Sequence, residues 1–82
     1  MDIKAFLLEL PLPVQKAIMK IVNAVAKLIG MINMLPPQAR AAFAKGVWHT
    51  VVKILKDAKQ DNTARREKIR AILCKAFKIE SF

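Results

Sequence analysis

The chain has no tyrosine, one cysteine, one histidine, one serine, one tryptophan and two glycines in 82 residues. Each scarcity removes a class of chemistry. A lone Cys74 cannot form an intramolecular disulfide, so a disulfide-stapled scaffold is excluded. A lone His49 leaves no Cys/His set for zinc, and no metal site is expected. A phosphate-cradling glycine loop cannot be assembled from Gly30 and Gly46 alone. Cys74 and His49 match a nucleophile and its base in type only, with no third group to orient them. Cys74 reads more simply as a small apolar filler on a helix's inner side, and His49 as a boundary residue. The six carboxylates are scattered and outnumbered, against a two-carboxylate hydrolase. No catalytic residue, cofactor or small-molecule substrate is expected.

Acidic charge is the next scarcity. Six acids face 15 lysines and arginines, for a formal net charge of +9. Such a charge draws a protein towards nucleic acid, anionic lipid or an acidic protein face. Long apolar runs are also missing. The longest uncharged stretch, Leu28–Ala39, is interrupted by Pro36-Pro37 and falls short of the roughly 20 residues of a spanning helix. Met1–Leu10 carries Asp2 and Glu9 and runs into Pro11, so it does not read as a secretory leader. The expectation is a cytoplasmic protein, or one released without a leader.

What is abundant is apolar content, 55% of residues, beside 26% charged. One domain of this size, residues 1–82, buries a small share of its surface. Some apolar surface is therefore expected to stay exposed, as at a lipid, partner or self-association contact.

Punctuation and periodicity predict an all-α fold, a three- to four-helix bundle with a central antiparallel hairpin. A first helix spans about 2–10 before Pro11 and Pro13 interrupt it. A second runs 13–33, with Pro13 as its first residue. Lys16, Lys20, Asn23 and Lys27 step by four, three and four into one narrow polar stripe on a largely apolar cylinder. Pro36-Pro37 ends it and starts a third helix, 37–59, with Phe43, Val47, Val51, Ile54, Leu55 and Ala58 expected inside. Arg40, Lys45, His49, Lys53 and Lys56 are expected outside it. Gln60–Thr63 supplies N-cap candidates for a fourth helix, 62–80, whose buried stripe is Ile69, Ile72, Leu73, Ala76 and Phe77.

Nine of the 15 basic residues lie between Lys53 and Lys78, against three acids there. Arg65, Arg66, Lys68 and Arg70 open the fourth helix, where the positive end of the dipole makes cations mildly unfavourable. With Lys75 and Lys78 they are the candidate anion-binding set, or else a solvated helix face.

Three functions follow as expectations. The leading one is a non-enzymatic cationic bundle, bacteriocin- or lysis-like, that opens on anionic membranes. Its second helix inserts with Phe43, Val47 and Trp48, while Lys16, Lys20, Lys27, Lys45 and Lys53 take headgroups. In this pairing of wide apolar faces with a lysine stripe, the chain resembles small multi-helical cationic bacteriocins of the saposin-like kind. Its six acids and its cysteine depart from that group's composition. The second is a small adaptor or inhibitor, of the sort viruses and mobile elements encode, that binds a protein partner or its own copies. The third is a nucleic-acid-binding protein using the fourth helix on phosphates. Aromatics are few for base stacking. The helix-turn-helix spacing of Ala42, Gly46 and Val52 would put core-like Val51, Ile54 and Leu55 on the reading helix. Phosphates need no spare apolar surface, so nucleic acid ranks third.

Overall fold

The computed structural model describes residues 3–82, among which every regular element is an α-helix. It has α1 (Lys4–Leu7), α2 (Leu12–Ile32), α3 (Pro37–Asp57) and α4 (Thr63–Phe77). The expected hairpin is α2–α3, joined by four residues. α3 packs on both α2 and α4, which touch one another less.

The first helix is one turn, shorter than the expected 2–10, of which Asp2 lies outside the described residues. Pro11 has no N–H to return to Leu7 and disfavours helical geometry at Leu10. The chain therefore tightens into i→i+3 turns, Glu9 N to Phe6 O at 3.2 Å and Leu10 N to Leu7 O at 3.0 Å. The Gln15 side chain then donates to Leu10 O at 2.7 Å. Ile3, Phe6, Leu7 and Leu10 are all buried, so this segment is an apolar plug in the common core.

Pro11 caps α2, which begins at Leu12, one residue before the expected start, with Pro13 in its first turn. Pro36 likewise caps α3, and Pro37 is its first residue. Asn62 caps α4 through its side-chain oxygen, which accepts from Arg65 N at 2.8 Å. The helix ends at Phe77, before the expected Glu80, because Lys78 turns left-handed at φ 55°. Ile79 N then bonds Cys74 O at 3.0 Å and Lys78 N bonds Lys75 O at 3.4 Å, a Schellman closure. α3 stops in the same way: Lys59 has φ 58°, and Gln60 N bonds Leu55 O at 2.8 Å.

The core runs along all four helices. Val14, Ile18, Val22, Val25 and Ile32 come from α2, Ala44, Val51 and Leu55 from α3, and Ile69, Leu73 and Phe77 from α4. On α4 the expected stripe holds, with Ile72 and Ala76 at its half-buried margin. On α3 it is displaced. Phe43 is 49% exposed while Ala44, the next residue, is fully buried. One residue is a rotation of about 100°. α3 has two neighbours, so Ala44, Val51, Val52 and Leu55 are buried and Phe43 is left outside.

Candidate interaction surface

The basic cluster opening α4 is largely engaged within the fold. Arg65 donates to Gln60 O at 2.8 Å, to Gln60 Oε1 at 2.9 Å and to Glu9 O at 3.4 Å. Arg66 grips Asp61 with two nitrogens, Nε reaching Oδ1 at 2.8 Å and the second pairing with Oδ2. That hydrogen bond, with the nearby positive charge, holds the Asp61 carboxyl below its usual range and raises the Arg66 guanidinium. Lys68 Nζ lies 3.1 Å from Glu9. Arg70 sits 4.6 Å from the ring centres of both Trp48 and Phe82 and donates to Phe82 O at 2.6 Å. Of the six candidate anion-binding residues, Lys75 and Lys78 alone have no side-chain partner among the described residues, and both are exposed.

Trp48 belongs to the same seam. It is half-buried, its Nε1 donates to Arg66 O at 3.1 Å, and its ring meets Phe82 and His49 edge-on. An interfacial anchor needs a free indole edge, so Trp48 stands apart from the exposed apolar surface described next.

That surface lies on the α2–α3 hairpin. Ile21, Ala24, Leu28 and Met31 step by three, four and three, forming one stripe beside the buried one. Leu28 is 48% exposed, Met31 69% and Met34, in the following turn, 85%. Where α2 and α3 run side by side, Ile21, Ala42, Phe43, Gly46, Val47 and Thr50 line an open, mainly apolar groove of about 510 Å³. A Cβ built on Gly46 or Gly30 would meet nothing within 4 Å, so neither glycine serves a close helix contact.

Lysines border this surface. Lys16, Lys20, Lys27, Lys45 and Lys53 are exposed, and none forms an ion pair among the described residues. The sequence holds no acid from Leu10 to Lys56. Where the hairpin turns, Asn33 Nδ2 donates to Ala76 O at 3.3 Å, and Arg40 donates to Phe77 O and Lys78 O. These bonds bring the end of α4, with Lys75 and Lys78, to the hairpin turn. Glu80 is the acid at this end, in a small cleft with Pro37, Arg40, Lys78, Ile79 and Ser81.

Phe43, Val47 and the five lysines, expected from sequence as contact residues, thus share the hairpin. Met31, Met34, Leu28 and Leu35 are additions. Their signal was the uncharged stretch Leu28–Ala39, which has more apolar residues than one helix face can bury. Among the described residues no three His, Cys, Asp or Glu side chains converge as a metal site would require. Nor, among the described residues, is any helix long and apolar enough to cross a membrane. Comparisons with family models, curated proteins and solved structures find no match.

Proposed function

We propose that this chain is a non-catalytic binding protein that docks peripherally on anionic membrane surfaces through its α2–α3 hairpin. The observation that carries the reading is the exposed apolar surface of Leu28, Met31, Met34 and Phe43, bordered by lysines that form no ion pair among the described residues, in a stretch without a single acid. Apolar groups in the acyl boundary and lysines at headgroup level are the two contributions an interfacial protein combines.

The magnitudes favour reversible binding. Partial burial of three side chains contributes on the order of 1 kcal/mol each. Lysines near an anionic surface add about 1 kcal/mol apiece. With three lysines engaged the total is roughly 6 kcal/mol, an affinity between millimolar and micromolar. Docking at this strength leaves the bundle closed, in place of the opening expected from sequence.

Nucleic acid binding is less well supported, because Arg65, Arg66, Lys68 and Arg70 already have partners within the fold. A second copy of the chain would set lysine edge against lysine edge. An acidic amphipathic helix of another protein would suit the Phe43 groove, and competes with lipid in the test. Flotation with phosphatidylglycerol-containing vesicles and with pure phosphatidylcholine vesicles decides the matter. Co-flotation with the anionic vesicles alone is expected. Failure to float with either overturns the proposal.

A further inference from the structure

Resting on the membrane reading, we infer that the bundle docks end-on. The α2–α3 turn, with Met31, Met34 and Leu35, enters the acyl boundary while the rest of the fold stays closed above it.

Four features of the turn converge. Its outer surface is apolar: Met34, at 85%, is the most exposed large apolar residue among those described, and Met31 is 69% exposed. Its polar side chains are drawn inward. Asn33 and Arg40 fold onto the last carbonyls of α4, at 3.3 Å to Ala76 O and 3.1 Å to Lys78 O, leaving Gln38 as the exposed polar residue of the turn.

Its backbone donors are also satisfied. Asn33, Met34 and Leu35 N–H groups bond Ile29, Met31 and Ile32 carbonyls at 2.9, 3.1 and 3.0 Å. The next two residues, Pro36 and Pro37, have no N–H to satisfy. A segment entering an oily layer must hide its backbone donors, since each left unpaired there is costly. The carbonyls of residues 33–35 accept no bond among the described residues, which keeps the turn at the wet boundary and away from the hydrocarbon centre.

Charge is placed to match. Lys27 lies one helical turn before Met31, and Lys75 and Lys78 stand at the adjoining end of α4, so cations flank the turn at headgroup depth. The shape favours lipid over a protein socket. Met34 projects with little around it, and lipid chains yield around a projecting flexible methionine where a partner protein would need a preformed cavity.

The test uses the full chain with Cys74→Ala, carrying a single cysteine at position 34 or 56 labelled with an environment-sensitive dye. Position 56 lies at the opposite end of α3. On phosphatidylglycerol vesicles, the dye at 34 is expected to shift to the blue and be quenched by brominated acyl chains. The dye at 56 should stay in water. Trp48 emission should not change, because the α3–α4 seam that holds it stays closed, and vesicle contents should be retained. A double variant, Met31→Ser with Met34→Ser, should melt like the parent yet partition about 10- to 100-fold more weakly.

Flotation with a dye at 34 that remains aqueous overturns the end-on inference and leaves the membrane reading standing. So does leakage with a Trp48 shift, which would mean an opened bundle. Absence of flotation, with binding instead to a Glu-rich amphipathic peptide, overturns both.

Discussion

Arg40, in the first turn of α3, donates from one guanidinium nitrogen to Phe77 O at 3.2 Å and Lys78 O at 3.1 Å, closing the end of α4. A cation at a helix C-terminus meets both free carbonyls and the negative end of the dipole. Hydrogen bonds from a charged donor contribute about 1.5–3 kcal/mol each, but Arg40 Nε is buried without a partner, which offsets about 1–3 kcal/mol. Arg40→Ala is therefore expected to lower stability by about 1–2 kcal/mol. For a domain of this size that is roughly 5–15 °C in Tm. Arg40→Lys should recover only part, since one ammonium cannot reproduce the planar fork. Thermal melts of the three proteins check this, and an unchanged Tm for Arg40→Ala would remove the contact from the account of stability.

Two lysines hold left-handed backbone where glycine is the usual residue, Lys59 at φ 58° and Lys78 at φ 55°. Left-handed geometry costs a residue with a Cβ roughly 1–2 kcal/mol, and glycine loses part of that advantage through its more flexible unfolded state. Lys59→Gly is thus expected to stabilise by about 0.5–1 kcal/mol, read as a higher urea midpoint at constant slope. It touches none of the proposed interface. A destabilised Lys59→Gly would mean that the Lys59 side chain contributes more than the backbone strain costs.

The fold was legible because its punctuation is local. Pro11, Pro13, Pro36 and Pro37 fix where helices begin and end whatever surrounds them. The rotation of α3 was not legible, since Phe43, Ala44 and Val47 are all apolar and only the positions of α2 and α4 decide which is covered. The lysine border was readable from the spacing Lys16, Lys20, Lys27. The engagement of the α4 cations was readable only in part. Arg65 and Arg66 pair five residues back, with Gln60 and Asp61, within reach of a sequence argument. Lys68 with Glu9 and Arg70 between Trp48 and Phe82 depend on chain segments brought together by folding.

The Asp61–Arg66 pair predicts how stability depends on pH. Asp61 titrates below its unfolded value because of its hydrogen bond from Arg66. The unfolded chain then binds the proton more readily, so the pair's contribution is fully present above about pH 4, where unfolded Asp ionises. It is lost as pH falls through the lower folded value. Wild type should therefore lose denaturant resistance more steeply below about pH 4 than Asp61→Asn, while near pH 7 the variant should be the weaker of the two. Urea titrations at a series of pH values measure the difference. Parallel curves for the two proteins would show that Asp61 contributes nothing through its charge.

Charge at the hairpin end supplies the last expectation. Glu80 shares that end with Lys78, in a cleft with Pro37 and Arg40 beside the proposed docking turn. Removing one negative charge close to an anionic bilayer is worth at most about 1 kcal/mol, so Glu80→Gln should strengthen vesicle binding by up to roughly fivefold. Lys75→Gln with Lys78→Gln should weaken it by a comparable factor for each lysine, since neither ammonium has a partner among the described residues. Both effects should shrink as ionic strength rises, because exposed charges are screened over about 8 Å at 0.15 M salt. The Met31→Ser, Met34→Ser loss should persist at high salt, since apolar burial is not screened. A salt series on the four proteins separates the two contributions. Equal salt sensitivity of the methionine and lysine variants would mean that the methionines do not reach the acyl boundary.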